Sequence, residues 1–238
     1  MPNITFDAAG TELRAYLAVP DGDGPFPGVV VLHEGVVGLN DDMRKQSDRF
    51  AEQGYVALAP DFYSTGPRVM CMQSTMRDML SARGKSFEYI EAARRWLADR
   101  EDATGRVAVA GFCQGGGFAV VAAARFDFAA AAVNYGSLPS NVVKELEGAC
   151  PIVASYGKRD LSLLGCANKL ESTLAELGVP HDVKEYSDAG HGFLSEWSAP
   201  GPLSIAMKVS PMAYGVGRQH LDDGWARIFA FFDEHVKG

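Results

Sequence analysis

Cys113 stands in the run Ala110-Gly111-Phe112-Cys113-Gln114-Gly115-Gly116-Gly117, between an apolar stretch from Arg106 and a small-residue stretch ending at Ala124. A buried strand, a Gly-x-Cys-x-Gly turn and a helix present the middle residue on a strained corner, here with sulfur where oxygen is more usual. Glycines on either side let strand and helix meet without a clash. A helix that begins at the thiol offers free N–H groups and its positive dipole end to a thiolate and to a nearby oxyanion. Attack of sulfur on a carbonyl is the chemistry such a corner suits. Taken alone, Cys113 also fits a small buried hydrophobe in a glycine-rich turn. Neither of the phosphate-cradling glycine spacings is present.

A nucleophile of this kind needs a base, and the base needs an acid to orient it. Asp160 follows Gly157-Lys158-Arg159 after an apolar run, and His191 lies in Ala189-Gly190-His191-Gly192-Phe193. Nucleophile, acid and histidine therefore occur in the chain order of the α/β-hydrolases, each just after a strand. Asp160 also suits the cap of a helix starting near Leu163, and His191 a glycine-rich turn; the joint placement favours a Cys-His-Asp triad. His33, His181, His220 and His235 lack that context and read as structural or surface residues. Glu34, in Val31-Leu32-His33-Glu34-Gly35-Val36-Val37-Gly38-Leu39-Asn40, adds a second carboxylate at a strand end. It is either a solvated loop acid or a group beside the thiol that accepts its proton. The same loop supplies one oxyanion N–H in this architecture, which assigns the two donors to Gly35 and Gln114.

The elements that must position these residues follow from the pattern. An N-terminal hairpin over 4–7 and 13–19 precedes strands at 29–32, 55–59, 106–110, 129–135, 152–156 and 182–186. Between them come a helix capped by Asn40, a helix over 70–83, and one carrying Phe87, Ile90, Ala93 and Leu97 on one face. A small helix capped by Ser140 comes next, then a helical face of Leu163, Ala167, Leu170, Leu174 and Leu177. A final helix aligns Leu221, Trp225, Ile228, Phe229, Phe232 and Val236. Apolar strands alternating with helices predict a parallel sheet covered on both faces, with ligands outside its carboxyl edge. Residues 194–219 show no clear periodicity yet hold Trp197, Met207, Met212 and Tyr214. They read as a pocket wall rather than a tail, with a partly helical surface excursion over the core as the plainer alternative. Met70, Met72, Met76 and Met79 read as core or pocket lining, not a metal site.

At 238 residues the chain suits one α/β domain over 1–238. Its 47% hydrophobic and 22% charged content is that of an ordinary globular protein. A formal charge of −8, without a basic run, argues against nucleic acid as partner. No apolar run approaches the ~20 residues that span a bilayer, and the segment from Met1 lacks a leader's layout. Four cysteines without C-x-x-C pairing fit neither a metal knuckle nor a disulfide scaffold, which places the protein in the cytoplasm. The expectation is a small-molecule partner, no membrane, no cofactor, and a monomer or small homo-oligomer.

Taken together, the motifs resemble the dienelactone hydrolases, or carboxymethylenebutenolidases, cysteine members of the α/β-hydrolase fold. The likeness is carried by His33-Glu34 with Gly38-Leu39-Asn40, Pro60-Asp61-Phe62-Tyr63, Gly111-Phe112-Cys113-Gln114-Gly115-Gly116, the Asp160 turn and Gly190-His191-Gly192-Phe193. It implies a mostly parallel central sheet with helices on both faces. The implied activity is hydrolysis of a cyclic enol ester, the dienelactone of chlorocatechol breakdown, to maleylacetate. By the same resemblance Cys113 is the nucleophile, His191 the base, Asp160 its orienting acid and Glu34 the activator of the thiol. The family's best-known members carry an arginine just after the phenylalanine of the histidine motif, where it helps bind the substrate carboxylate. Here Phe193 is followed by Leu194, Ser195, Glu196 and Trp197. A second family arginine precedes the middle helices, where Arg77 or Arg83 can serve; Arg77 and Trp197 are thus the expected substrate contacts. Loss of a bidentate clamp weakens recognition of a carboxylate-bearing lactone, so other lactones or less charged small esters enter as substrates. A general small-ester carboxylesterase or thioesterase, and a non-catalytic thiol-based binding or redox-sensing protein, are the alternatives. A glutamine amidotransferase is set aside, since it needs a His-x-Glu pair where this chain has His191-Gly192-Phe193.

Overall fold

The computed structural model describes residues 3–35 and 38–238. Met1 and Pro2, read above as the start of a segment without a leader's layout, and Val36 and Val37 of the Glu34 motif lie outside the described residues. The strands are β1 (Asn3–Ala8), β2 (Thr11–Ala18), β3 (Phe26–Leu32), β4 (Val56–Pro60), β5 (Ala103–Phe112), β6 (Ala131–Asn134), β7 (Ile152–Gly157) and β8 (His181–Tyr186). They form one sheet in the order β1-β2-β4-β3-β5-β6-β7-β8. The β1–β2 and β2–β4 pairs are antiparallel and every later pair is parallel. This is the mostly parallel α/β-hydrolase arrangement.

The helices are α1 (Asp41–Glu52), α2 (Arg68–Ser81), α3 (Lys85–Ala98), α4 (Gln114–Arg125), α5 (Val142–Glu145), α6 (Cys166–Leu177), α7 (Pro202–Lys208) and α8 (Leu221–Phe232). Alternate residues of the central strands feed two cores, because successive side chains leave a strand on opposite faces. Val30, Leu32 and Val109 pack with Phe87 and Ile90 of α3, Phe118 of α4 and Leu170 of α6. Val29, Val31 and Ala110 pack on the other side with Phe50 of α1 and with Trp225, Ile228 and Phe232 of α8. Burying both faces explains why β3 and the second half of β5 are unbroken apolar runs. Among the described residues no helix is long and apolar enough to cross a membrane.

Five elements depart from the pattern. Strand β8 is not apolar: it closes one edge of the sheet, alternates partly exposed and exposed residues, and carries charges that discourage further pairing. Helix α2 starts at Arg68, two residues before the methionine run, because Pro67 supplies its entry. The cap of α5 is Asn141 rather than Ser140. Leu163 belongs to a separate 3-10 turn, Leu161–Leu163, ahead of α6. Residues 194–219 contain α7 and the start of a 3-10 turn, Arg218–His220, so the excursion is partly helical, and its second half also walls the site.

Candidate active site

The chain turns sharply between β5 and α4, and Cys113 occupies the corner with φ 56° and ψ −114°. That conformation is costly for a residue with a side chain and marks a corner held by its surroundings. Glycine is required next to it by close approach. A Cβ on Gly111 would run into the carbonyl of Gly115, and one on Gly115 into the carbonyl of Leu32. The Cys113 N–H donates to the Asn134 carbonyl at 3.0 Å, tying the corner to β6. The thiol is free and half-buried.

Asp160 and His191 come from the loops after β7 and β8. Asp160 Oδ1 accepts from Ser162 N–H at 3.0 Å and from Ser162 Oγ at 2.5 Å, while its Oδ2 lies 2.5 Å from His191 Nδ1. Capping and orienting are thus not rivals, since each uses a different oxygen. Placing the proton on Nδ1, as the Asp160 contact requires, leaves Nε2 as an acceptor only while the ring is neutral. Nε2 is buried. Burial opposes the charged imidazole, but the interaction with the adjacent Cys113 sulfur and the bond to Asp160 outweigh it and lift His191 to about 10. The backbone of this loop is clamped from outside the sheet. His191 N–H donates to the Met212 carbonyl at 2.8 Å, and Gly215 N–H donates to the His191 carbonyl at 2.7 Å.

Glu34, just past β3, is 4% exposed, so it is not a solvated loop acid. Tyr214 Oη donates to its Oε2 at 2.7 Å, and Tyr135 Oη reaches its Oε1 at 3.4 Å. Burial pushes the Glu34 carboxyl above its ordinary value, against the pull of the Tyr214 hydroxyl and of His191. Tyr135 is held at φ 42° just after β6, with its ring 5.0 Å from that of His191. Asp42 of α1 supports the same region. It accepts from Gln46 Nε2 at 2.8 Å, Ser195 Oγ at 2.7 Å and Glu196 N–H at 2.9 Å, which ties α1 to the end of the histidine loop.

Gly35 and Gln114 meet beside the thiol: a Cβ on Gly35 would lie 2.9 Å from Gln114 Oε1. The Tyr63 hydroxyl bridges them, donating to the Gly35 carbonyl and lying 3.2 Å from Gln114 Oε1. As the first residue of α4, Gln114 has an N–H with no intrahelical acceptor. His33 is buried between Phe62 and Tyr63, its Nδ1 3.0 Å from the Glu34 carbonyl oxygen, which fits a structural residue.

Two expected substrate contacts are placed differently. Arg77 is exposed on α2 and lines grooves with Thr65 and Ser74, on a face that the helical period turns away from Cys113. Trp197 packs edge-on against Tyr214 with ring centroids 5.6 Å apart, one layer behind the site. Arg83 lines a cavity of about 760 Å³ between α3 and the N-terminal hairpin; its walls include Phe87, Trp96 and Phe126, not the residues around Cys113. A cation does stand over Tyr63. The Arg68 guanidinium lies 5.6 Å over the Tyr63 ring, and its charge reaches His33. Sequence reasoning passed over Arg68 and Tyr135, and it noted Tyr63, Asp42, Ser195 and Tyr214 without a role in the site. The position of Tyr63 in Pro60-Asp61-Phe62-Tyr63, just after a strand, was the available signal.

The arrangement places a strained sulfur next to an oriented imidazole, two loop or helix-end N–H groups and a buried carboxylate. The dienelactone hydrolase family model matches residues 13–236. The chain is 31% identical to protein usf of Aquifex pyrophilus over 81% of this chain and 87% of that protein. It is 25% identical to the carboxymethylenebutenolidase of Rhodococcus opacus over 95% of this chain and 88% of the other. Among solved structures, a dienelactone hydrolase-like promiscuous phosphotriesterase from metagenomic libraries superposes with a TM-score of 0.78 at 22% identity, covering 99% of this chain and 98% of that one.

Proposed function

The chain belongs to the dienelactone hydrolase family and is a carboxylic ester hydrolase, and we propose that it opens lactones or cleaves small esters through Cys113. The observation that carries this reading is the pairing of a strained, half-buried thiol with a buried histidine whose Nδ1 is held by Asp160 and whose ring also interacts with the Cys113 sulfur.

In this mechanism Glu34 accepts the thiol proton when substrate arrives, and the thiolate attacks the carbonyl carbon. The N–H groups of Gly35 and Gln114 hold the oxyanion, each contributing about 3 kcal/mol. Collapse expels the ring oxygen as an enolate-type leaving group and leaves a thioester on Cys113. His191, steadied by Asp160, then takes a proton from water, which attacks the thioester and releases the acid. Sulfur serves here because a good leaving group need not be driven out by a stronger nucleophile. Arg68, over Tyr63, supports a substrate that carries an anionic group, in the role first assigned to Arg77. Four free cysteines support a reducing compartment such as the cytoplasm.

The test is a hydrolysis screen across dienelactones, simple lactones and short nitrophenyl esters, with Cys113→Ala and Cys113→Ser in parallel. Cys113→Ala should lose at least about a thousandfold in kcat with an unchanged far-UV spectrum. Full activity in that variant refutes the assignment.

A further inference from the structure

Glu34 is faced by Tyr214 from the C-terminal segment, Tyr135 after β6, His191 after β8 and Asp42 on α1. The Cys113 thiol in turn acts on both phenols. Tyr214 makes the short bond, at 2.7 Å against 3.4 Å for Tyr135. Its ring has little freedom. A Cβ on Gly192 would meet the ring carbons at 2.6 Å, and Trp197 packs against its edge. The Ser195 hydroxyl, which donates to Asp42, lies against the same phenol.

We propose that Tyr214 is the positioning residue for Glu34: its hydroxyl fixes the carboxylate in the pocket wall and sets the pH at which that carboxylate can take the proton of Cys113. This rests on Cys113 as nucleophile and Glu34 as its proton acceptor. One proton moves in the step: the S–H bond breaks and an O–H bond forms on Glu34. The phenol keeps its own proton, because burial and the adjacent Glu34 charge disfavour a phenolate. A hydrogen bond donated to a carboxylate favours the charged form. Without it, buried Glu34 with the like charge of Asp42 nearby holds its proton to higher pH, and the thiol becomes reactive later on the pH scale.

The experiment follows the rate at which iodoacetamide alkylates Cys113, quantified on its own peptide by mass spectrometry, from acid to alkaline pH in the full chain. Tyr214→Phe should move the acid limb upward by about one pH unit. In a Glu34→Gln background the same change should move nothing. Replacing Tyr214 with 3-fluorotyrosine, a stronger donor of nearly equal size, should move the limb downward, and it answers the question should the phenylalanine variant fail to fold. A limb that stays in place in the fluorinated protein, or a Tyr214→Phe shift that persists with Glu34→Gln, overturns the proposal. Turnover that survives Cys113→Ala overturns the nucleophile reading and this proposal with it. Turnover lost in that variant, with the limb unmoved by Tyr214 changes, overturns this proposal alone.

Discussion

Asp160 and Glu34 reach the same edge of the sheet, 1% and 4% exposed, and their surroundings differ in kind. Asp160 is held by its own turn, through Ser162 two residues along, and then presents its second oxygen to His191. Glu34 is held by hydroxyls 101 and 180 residues distant in sequence. The first carboxylate is a local device whose direction is set as soon as its loop forms. The second depends on elements arriving from the far end of the chain, and burial pushes its proton affinity up. Two acids at one sheet edge thus differ through environment alone.

That contrast can be broken by substitution. Asp160→Asn should cost the most, a fall in kcat of about a thousandfold or more at every pH, because the imidazole loses its orienting partner. Glu34→Gln should cost about a hundredfold near neutrality and remove the acid limb of the kcat/KM profile. Equal, pH-independent losses in the two variants would erase the division between the acids. Arg68→Met should raise KM about tenfold for a carboxylate-bearing lactone and leave neutral esters almost unchanged. A smaller effect belongs to stability. His191 is raised from 6.5 to about 10 in the folded protein, so its contribution is complete below pH 6.5 and lost as pH climbs through 10. Urea midpoints should therefore decline across that window, and less steeply in Cys113→Ala, where the sulfur that helps raise His191 is gone.

The residues that could be found by reading the chain are those whose geometry is local. Gly111 and Gly115 announce the corner because backbones touch there, and Asp160 and His191 each follow a recognisable strand and turn. Glu34 was visible as a strand-end acid, but its burial was not, because the groups that enclose it are remote. Asp42 reads as a helix-dipole partner in the first turn of α1, and nothing near it in sequence predicts its bonds to Ser195 and Glu196. The resemblance points to Arg77 or Arg83 and passes over Arg68, the first residue of α2. The segment 194–219 gave no period because it is a short exposed helix followed by irregular backbone, whose bonds go to the histidine loop.

The clamp on that loop has a consequence for how much of the chain the site needs. Met212 and Gly215 hold the backbone of His191, and Tyr214 holds Glu34. Cys113 precedes these supports by about a hundred residues, so truncating the chain before Met212 removes what holds the histidine loop and Glu34 without touching the corner itself.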